Sequence, residues 1–210
     1  MDRSRLEAFS DGVFAVAITL LALNLVIEGP RHGLLRDQLW AHRWSFAAYL
    51  LSFFVIGIIW VNHHAVIKSI AVVDRTLLFL NLVLLLFVVL IPFSTATAAE
   101  YLPVPGGDSN VAMALYSAVF LGMSIGFGSV FEWTLHGDHR TVPLPPQAHW
   151  PARLRFVGGA LVYVVAIVVS VFSAYAAFAL IALTAVYYIV ERTPTSPAAP
   201  DSPDGSPRVG

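Results

Sequence analysis

The chain is predicted to be an all-α, polytopic membrane protein, and three observations carry the prediction. Hydrophobic residues make up 58% of its 210 positions and charged residues only 12%, where a soluble domain carries about 25% charged residues. The mean hydropathy is +0.76. The charges lie in clusters and leave apolar runs of the roughly 20 residues that a bilayer-spanning helix needs. A net charge of -1 offers no basic face for nucleic acid. The absence of cysteine excludes disulfides, thiol catalysis and thiolate metal sites.

The first span is expected over Leu6–Ile27, closed by Glu28, Gly29 and Pro30. Arg3 and Arg5 precede it as they would in a signal peptide. The run is as long as a full span, however, and no small-residue cleavage site follows, so it reads as a retained helix. The second span is Ser45–Ile67, between Arg43 and Lys68, and the third runs from Arg75 to Ala99. Pro92 is expected to bend or break the far end of the third. The fourth is Asn110–Trp133, followed by a polar, Pro-rich loop through residues 136–155.

Phe156–Val190 is then a continuous apolar stretch of 35 residues. As one helix it would be roughly 52 Å long, against a hydrocarbon core of about 30 Å. Two spans, 154–171 and 174–191, separated by a turn near Val171–Ala174, fit better. Six helices in residues 1–192 is the favoured count and five the alternative. Residues 193–210, rich in Pro, Ser and Gly and without apolar anchors, form an expected disordered tail.

Basic residues set the expected orientation. With six spans and the N-terminus inside, nine Lys and Arg residues fall on the cytoplasmic side and three (Arg31, Arg36 and Arg43) outside. The positive-inside rule then places both termini in the cytoplasm of a multi-pass cell-membrane protein.

That orientation allows a depth argument for the polar residues. Asp11 lies six residues from Arg5, His64 four from Lys68, and Asn81 six from Arg75. At about 1.5 Å per residue, each sits roughly 6–9 Å above its flanking basic residue. Ser10, Asp11, Asn62, His63, His64 and Asn81 therefore share one layer near the cytoplasmic side. Such groups persist in lipid when they satisfy one another, which suggests a hydrogen-bonded clasp between the first three spans. Intramembrane ionisable residues are also functional candidates, so a proton relay or ion site stands beside the clasp.

On the first helix Val16, Leu20 and Leu23 fall at i, i+4 and i+7 and line one face. Asp11 precedes Val16 by five residues, a rotation of roughly 140° at 100° per residue, so the acid points away from that stripe. Thr19 can bond back to its own helix. Gly122-Met-Ser-Ile-Gly126 has the spacing of close helix packing. The pair in His136-Gly-Asp138-His139 could bind a metal, but it lies in a loop with no evident third and fourth ligand, and no metal is expected.

The stretch Arg5-Leu-Glu-Ala-Phe9-Ser10-Asp11, continued by Ala17-Ile-Thr-Leu-Leu21, resembles the first helix of the transmembrane protein 175 family of potassium channels. Trp60-Val-Asn-His-His64 is similar to the family's second helix, and Arg75–Asn81 with Leu90–Thr95 to its third. The resemblance covers roughly residues 3–101. It implies a six-helix subunit in a homotetramer, with a central pore lined by the first helix and narrowed by apolar rings at Val16, Leu20 and Leu23. It places a threonine concerned with ion preference at Thr19. The Arg5, Phe9, Ser10 and Asp11 motif would bond a histidine and an asparagine on the next two helices, with His64 and Asn81 the first choice and His63 the second. The implied permeant ion is K+, with no cofactor.

Three function classes follow. The leading one is a passive, potassium-preferring channel. The runner-up is a proton-coupled secondary transporter with Asp11 and His64 as its relay. An intramembrane enzyme would have His and Asp but no recognised nucleophile or metal set.

Overall fold

The computed structural model describes residues 2–137 and 139–190. Asp138 and the expected disordered tail, 193–210, lie outside the described residues. The described residues form an all-helical fold of seven α-helices: α1 Arg3–Ala22, α2 Leu35–Ala41, α3 Arg43–Lys68, α4 Arg75–Tyr101, α5 Gly107–Thr134, α6 Pro146–Phe172 and α7 Ala174–Val190. By length and composition α3, α4, α5 and α6 are able to cross a membrane. α1 carries Arg3, Arg5, Glu7 and Asp11 in its first turns, and α7 has only 17 residues.

Several boundaries differ from expectation for local reasons. α1 stops at Ala22 rather than Ile27. Asn24 has a low helix propensity, and Gly29 at φ 90° turns the chain into a single 3-10 turn at Pro30–His32. The first loop then contains α2, which no periodicity announced. Buried Gln38 holds the loop together by donating from Nε2 to the carbonyls of Gly29 (2.8 Å) and Gly33 (3.1 Å).

α4 starts at an N-cap, with the Asp74 carboxylate accepting from the Leu77 amide at 2.8 Å. Pro92 does not break it, and the helix continues to Tyr101. Ile91, Pro92, Ser94, Thr95 and Ala98 are all buried there, so packing offsets the roughly 3 kcal/mol that an interior proline costs. The stretch after the loop divides at one residue, Ser173, whose backbone is extended (φ -158°, ψ 111°). α6 begins at Pro146, eight residues before the expected start, because proline at the first helical position suits a helix entry.

Packing is closest at two glycines of α5. A Cβ at Gly126 would meet the Leu84 Cα at 2.9 Å, and one at Gly122 would overlap the Phe87 ring. The glycine pair therefore seats α5 on α4. α5 meets α6 through Phe127 and Phe131 against Phe156, at ring separations of 5.2 and 4.4 Å. Glu132 accepts a two-pronged bond from Arg153 across the same pair of helices.

One end of the bundle is tied together by its connections. Arg3 donates from Nη1 to the carbonyls of Lys68 (3.0 Å) and Ile70 (3.2 Å), fastening the start of α1 to the α3–α4 loop. The α5–α6 loop pairs with the same segment: the Ala71 amide donates to His139 at 2.8 Å and the Thr141 amide to Ser69 at 2.9 Å. Arg140 donates to the Thr134 hydroxyl, and its partial burial lowers the guanidinium pKa from its ordinary value.

Candidate functional site

Two faces of α1 define the site. Leu6, Ser10, Phe14, Ala17 and Leu21 are buried and recur at the three- and four-residue spacing of one helical face. They pack against α3 and α4. The opposite face finds no cover within the subunit: Val16 is 55% exposed, Leu20 38% and Leu23 71%. Thr19 lies among them, also exposed, and its hydroxyl donates to the Val16 carbonyl at 2.8 Å. Phe9 and Gly12 extend the stripe downward.

The buried face carries a directed chain of hydrogen bonds through three helices. His63 Nε2–H on α3 donates to Asn81 Oδ1 on α4 at 2.8 Å, and Asn81 Nδ2–H donates to Ser10 Oγ on α1 at 3.0 Å. Ser10 passes its own proton to the Leu6 carbonyl at 2.9 Å. His63 and Asn81 are each 1% exposed and Ser10 0%, so each lost bond would leave a dry polar group, at about 1–3 kcal/mol. The remaining His63 nitrogen, Nδ1, has no hydrogen-bond partner among the described residues. The ring packs beside Phe14 at 5.3 Å.

This corrects the expected pairing. The clasp is centred on Ser10 and uses His63, not Asp11 and His64. The reason is rotational: one residue is a 100° step, so when Ser10 faces the core its neighbour Asp11 turns to the edge of the helix. There the Asp11 carboxylate accepts from the Trp60 indole at 2.8 Å. His64 Nδ1 lies 2.8 Å from Glu7 Oε1. Arg5 and Phe9, expected in the same network, are exposed and outside it.

Glu7 and Trp60 were missed, although the sequence held a signal for both. Glu7 precedes Asp11 by four residues and Trp60 precedes His64 by four, so each shares a helical face with a residue that was singled out. The histidine-rich loop is engaged otherwise. His136 Nδ1–H donates to the Glu132 carbonyl and His139 Nδ1–H to the Trp133 carbonyl, with the His139 ring stacked on Trp133 at 3.9 Å.

A second buried polar set lies deeper. The Thr95 hydroxyl donates to the Ile91 carbonyl, so it accepts from Ser52, and Ser52 in turn accepts from Tyr116 at 2.8 Å. It ties α3, α4 and α5 together.

The family model described as "Endosomal/lysosomal potassium channel TMEM175" matches residues 5–92, which include both faces of α1 and the clasp residues. A curated potassium channel of Streptomyces collinus is 44% identical over 170 residues, covering 79% of this chain and 81% of that relative. The chain belongs to the TMEM175 family. The crystal structure of a Chamaesiphon minutus homologue of the lysosomal potassium-selective channel TMEM175 superposes with a TM-score of 0.78 at 32% identity. It covers 89% of this chain and 96% of that one. Mouse TMEM175, named as an endosomal/lysosomal proton channel, is 28% identical over 162 residues, 71% of this chain but 31% of the mouse protein. TMEM175 proteins are ion channels, and the intramembrane enzyme raised by the sequence is set aside.

Proposed function

We propose that this TMEM175-family chain is a potassium-preferring cation channel of the cell membrane, with a hydrophobic constriction on α1. In this reading α1 and α3 to α7 are six membrane-spanning helices, both termini are cytoplasmic, and four copies surround a central pore. Support for potassium comes from the named function of the Streptomyces relative and the Chamaesiphon homologue. Support for the pore comes from one observation above all: α1 presents Val16, Leu20 and Leu23 on a face that the subunit leaves uncovered, while its polar face is consumed by the fold.

Rings of Val and Leu side chains supply no ligand to replace an ion's hydration shell. They gate by dewetting, conducting when the constriction is wide and wet enough. Selectivity at such rings favours the less strongly hydrated K+ over Na+, with the Thr19 layer the polar group nearest to them. No cofactor is required, and the partners are K+, the bilayer and other copies of the chain.

The proton-coupled transporter has less support. Its relay needs Asp11 and His64 to exchange a proton; their ligand atoms lie within 4.8 Å of one another, but each has a nearer neighbour, Trp60 and Glu7, both at 2.8 Å. The test is K+ flux into liposomes carrying the purified protein, read beside an internal pH indicator. Passive K+ movement without obligatory H+ exchange is expected, rising in Leu20→Ala. Unchanged flux in Val16→Ala, Leu20→Ala and Leu23→Ala would remove α1 as the pore. Obligatory H+ exchange lost in Asp11→Asn would restore the transporter.

A further inference from the structure

Glu7, Asp11 and His64 meet at the edge of α1 with one ligand atom of each within 4.8 Å of the others. We propose that these three side chains bind a divalent transition-metal ion of the zinc type, joining α1 to α3. The set differs from an acidic surface patch in composition and in placement. It contains an imidazole from a second helix, and all three groups are half-buried rather than free in solvent.

Ligand chemistry selects the ion. One imidazole and two carboxylates suit zinc and its neighbours, whereas magnesium and calcium prefer oxygen alone. Zinc bonds to N and O at about 2.0–2.2 Å, which puts tetrahedral ligand atoms about 3.3 Å apart. His64 Nδ1 is already 2.8 Å from Glu7 Oε1, so small side-chain rotations bring the third ligand in. Glu7 and Asp11 stand one helical turn apart and hold their spacing through the α1 backbone. Trp60 fixes Asp11 by bonding one carboxylate oxygen, Oδ1, and the other remains for the metal. Such support of a ligand by a neighbouring donor is typical of metal sites. Nδ1 of His64 is buried and makes no hydrogen bond among the described residues, so with the ring proton on Nε2 its lone pair is available to the ion.

Charge balance points the same way. Among the described residues neither Glu7 nor Asp11 forms an ion pair with a lysine or arginine. Arg3 is spent on the Lys68 and Ile70 carbonyls. Two half-buried carboxylates beside one imidazole and one indole favour a cation that cancels both charges.

The site does not depend on whether α1 lines a pore, so its test is separate from that of the channel. Zinc is titrated by calorimetry, and in competition with a chromophoric chelator, into the full chain purified without a histidine tag. One ion per chain is expected, with zinc raising the melting temperature because only the folded form binds. Glu7→Gln and His64→Gln should each weaken binding by more than about tenfold and remove the thermal shift. The double variant His136→Gln/His139→Gln should bind as the natural chain does. Zinc affinity unchanged in Glu7→Gln, or lost only with the loop histidines, would overturn the proposal. Glu7→Gln alone decides if His64→Gln does not fold.

Discussion

The two faces of α1 are one helix apart and follow opposite rules. On the buried face one polar group places the next: Ser10 is held by Asn81, and Asn81 by His63. On the exposed face Val16, Leu20 and Leu23 touch little within the subunit, and the Thr19 hydroxyl turns back on its own helix. In a membrane the first face gains from hydrogen bonding rather than from apolar burial, because lipid is as apolar as leucine. In the proposed pore, the second face would be free to be selected for what passes it. Stability and conduction are therefore expected to separate between residues only a few positions apart.

The largest expected effect breaks the buried face. Asn81→Leu keeps the volume but removes both bonds of the clasp, leaving the His63 N–H without its acceptor in a dry site. A loss of about 2–3 kcal/mol is expected, measured as a lower melting temperature in detergent and a poorer yield of monodisperse protein. A variant as stable as the natural chain would show that α1, α3 and α4 hold by packing alone. Ser10→Ala removes one acceptor and is expected to cost about 1 kcal/mol by the same measurement. The equivalent change in Asp11 should cost less than either, because its carboxylate remains half-exposed with its lone pairs open to water.

The exposed face should give the converse. Leu20→Ala is expected to alter melting by no more than about 0.5 kcal/mol, as for a surface position, while raising K+ flux in liposomes. Destabilisation on the scale of Asn81→Leu would mean that the stripe is packed between subunits instead of lining a path.

Much of this was legible in the sequence because membranes enforce strict rules. Apolar runs pointed to the long helices α3, α4, α5 and α6, and the common depth assigned to Ser10, His63 and Asn81 put them in one layer before any coordinates. The rest depended on rotation, which depth leaves open. Adjacent residues such as Ser10 and Asp11, or His63 and His64, share a depth but point about 100° apart, so depth alone left open which member of each pair faces the core. Of the two outcomes expected at Pro92, the break does not occur: propensity is local, and the burial that carries α4 through the proline is not. α2 was hidden because its loop is held by Gln38 reaching two carbonyls, a contact without periodicity.

The smallest effect sharpens the boundary between the faces. Trp60→Phe keeps an aromatic ring beside His64, whose ring centroid lies 6.2 Å from that of Trp60, and deletes only the indole N–H that holds Asp11. Because the carboxylate is half-exposed, water replaces that donor, and the expected loss is below about 1 kcal/mol. K+ flux should stay at the natural rate, since Asp11 points away from Val16 and Leu20. If flux instead changes while melting does not, the edge of α1 communicates with the stripe, and Asp11 belongs to the conducting face as much as to the fold.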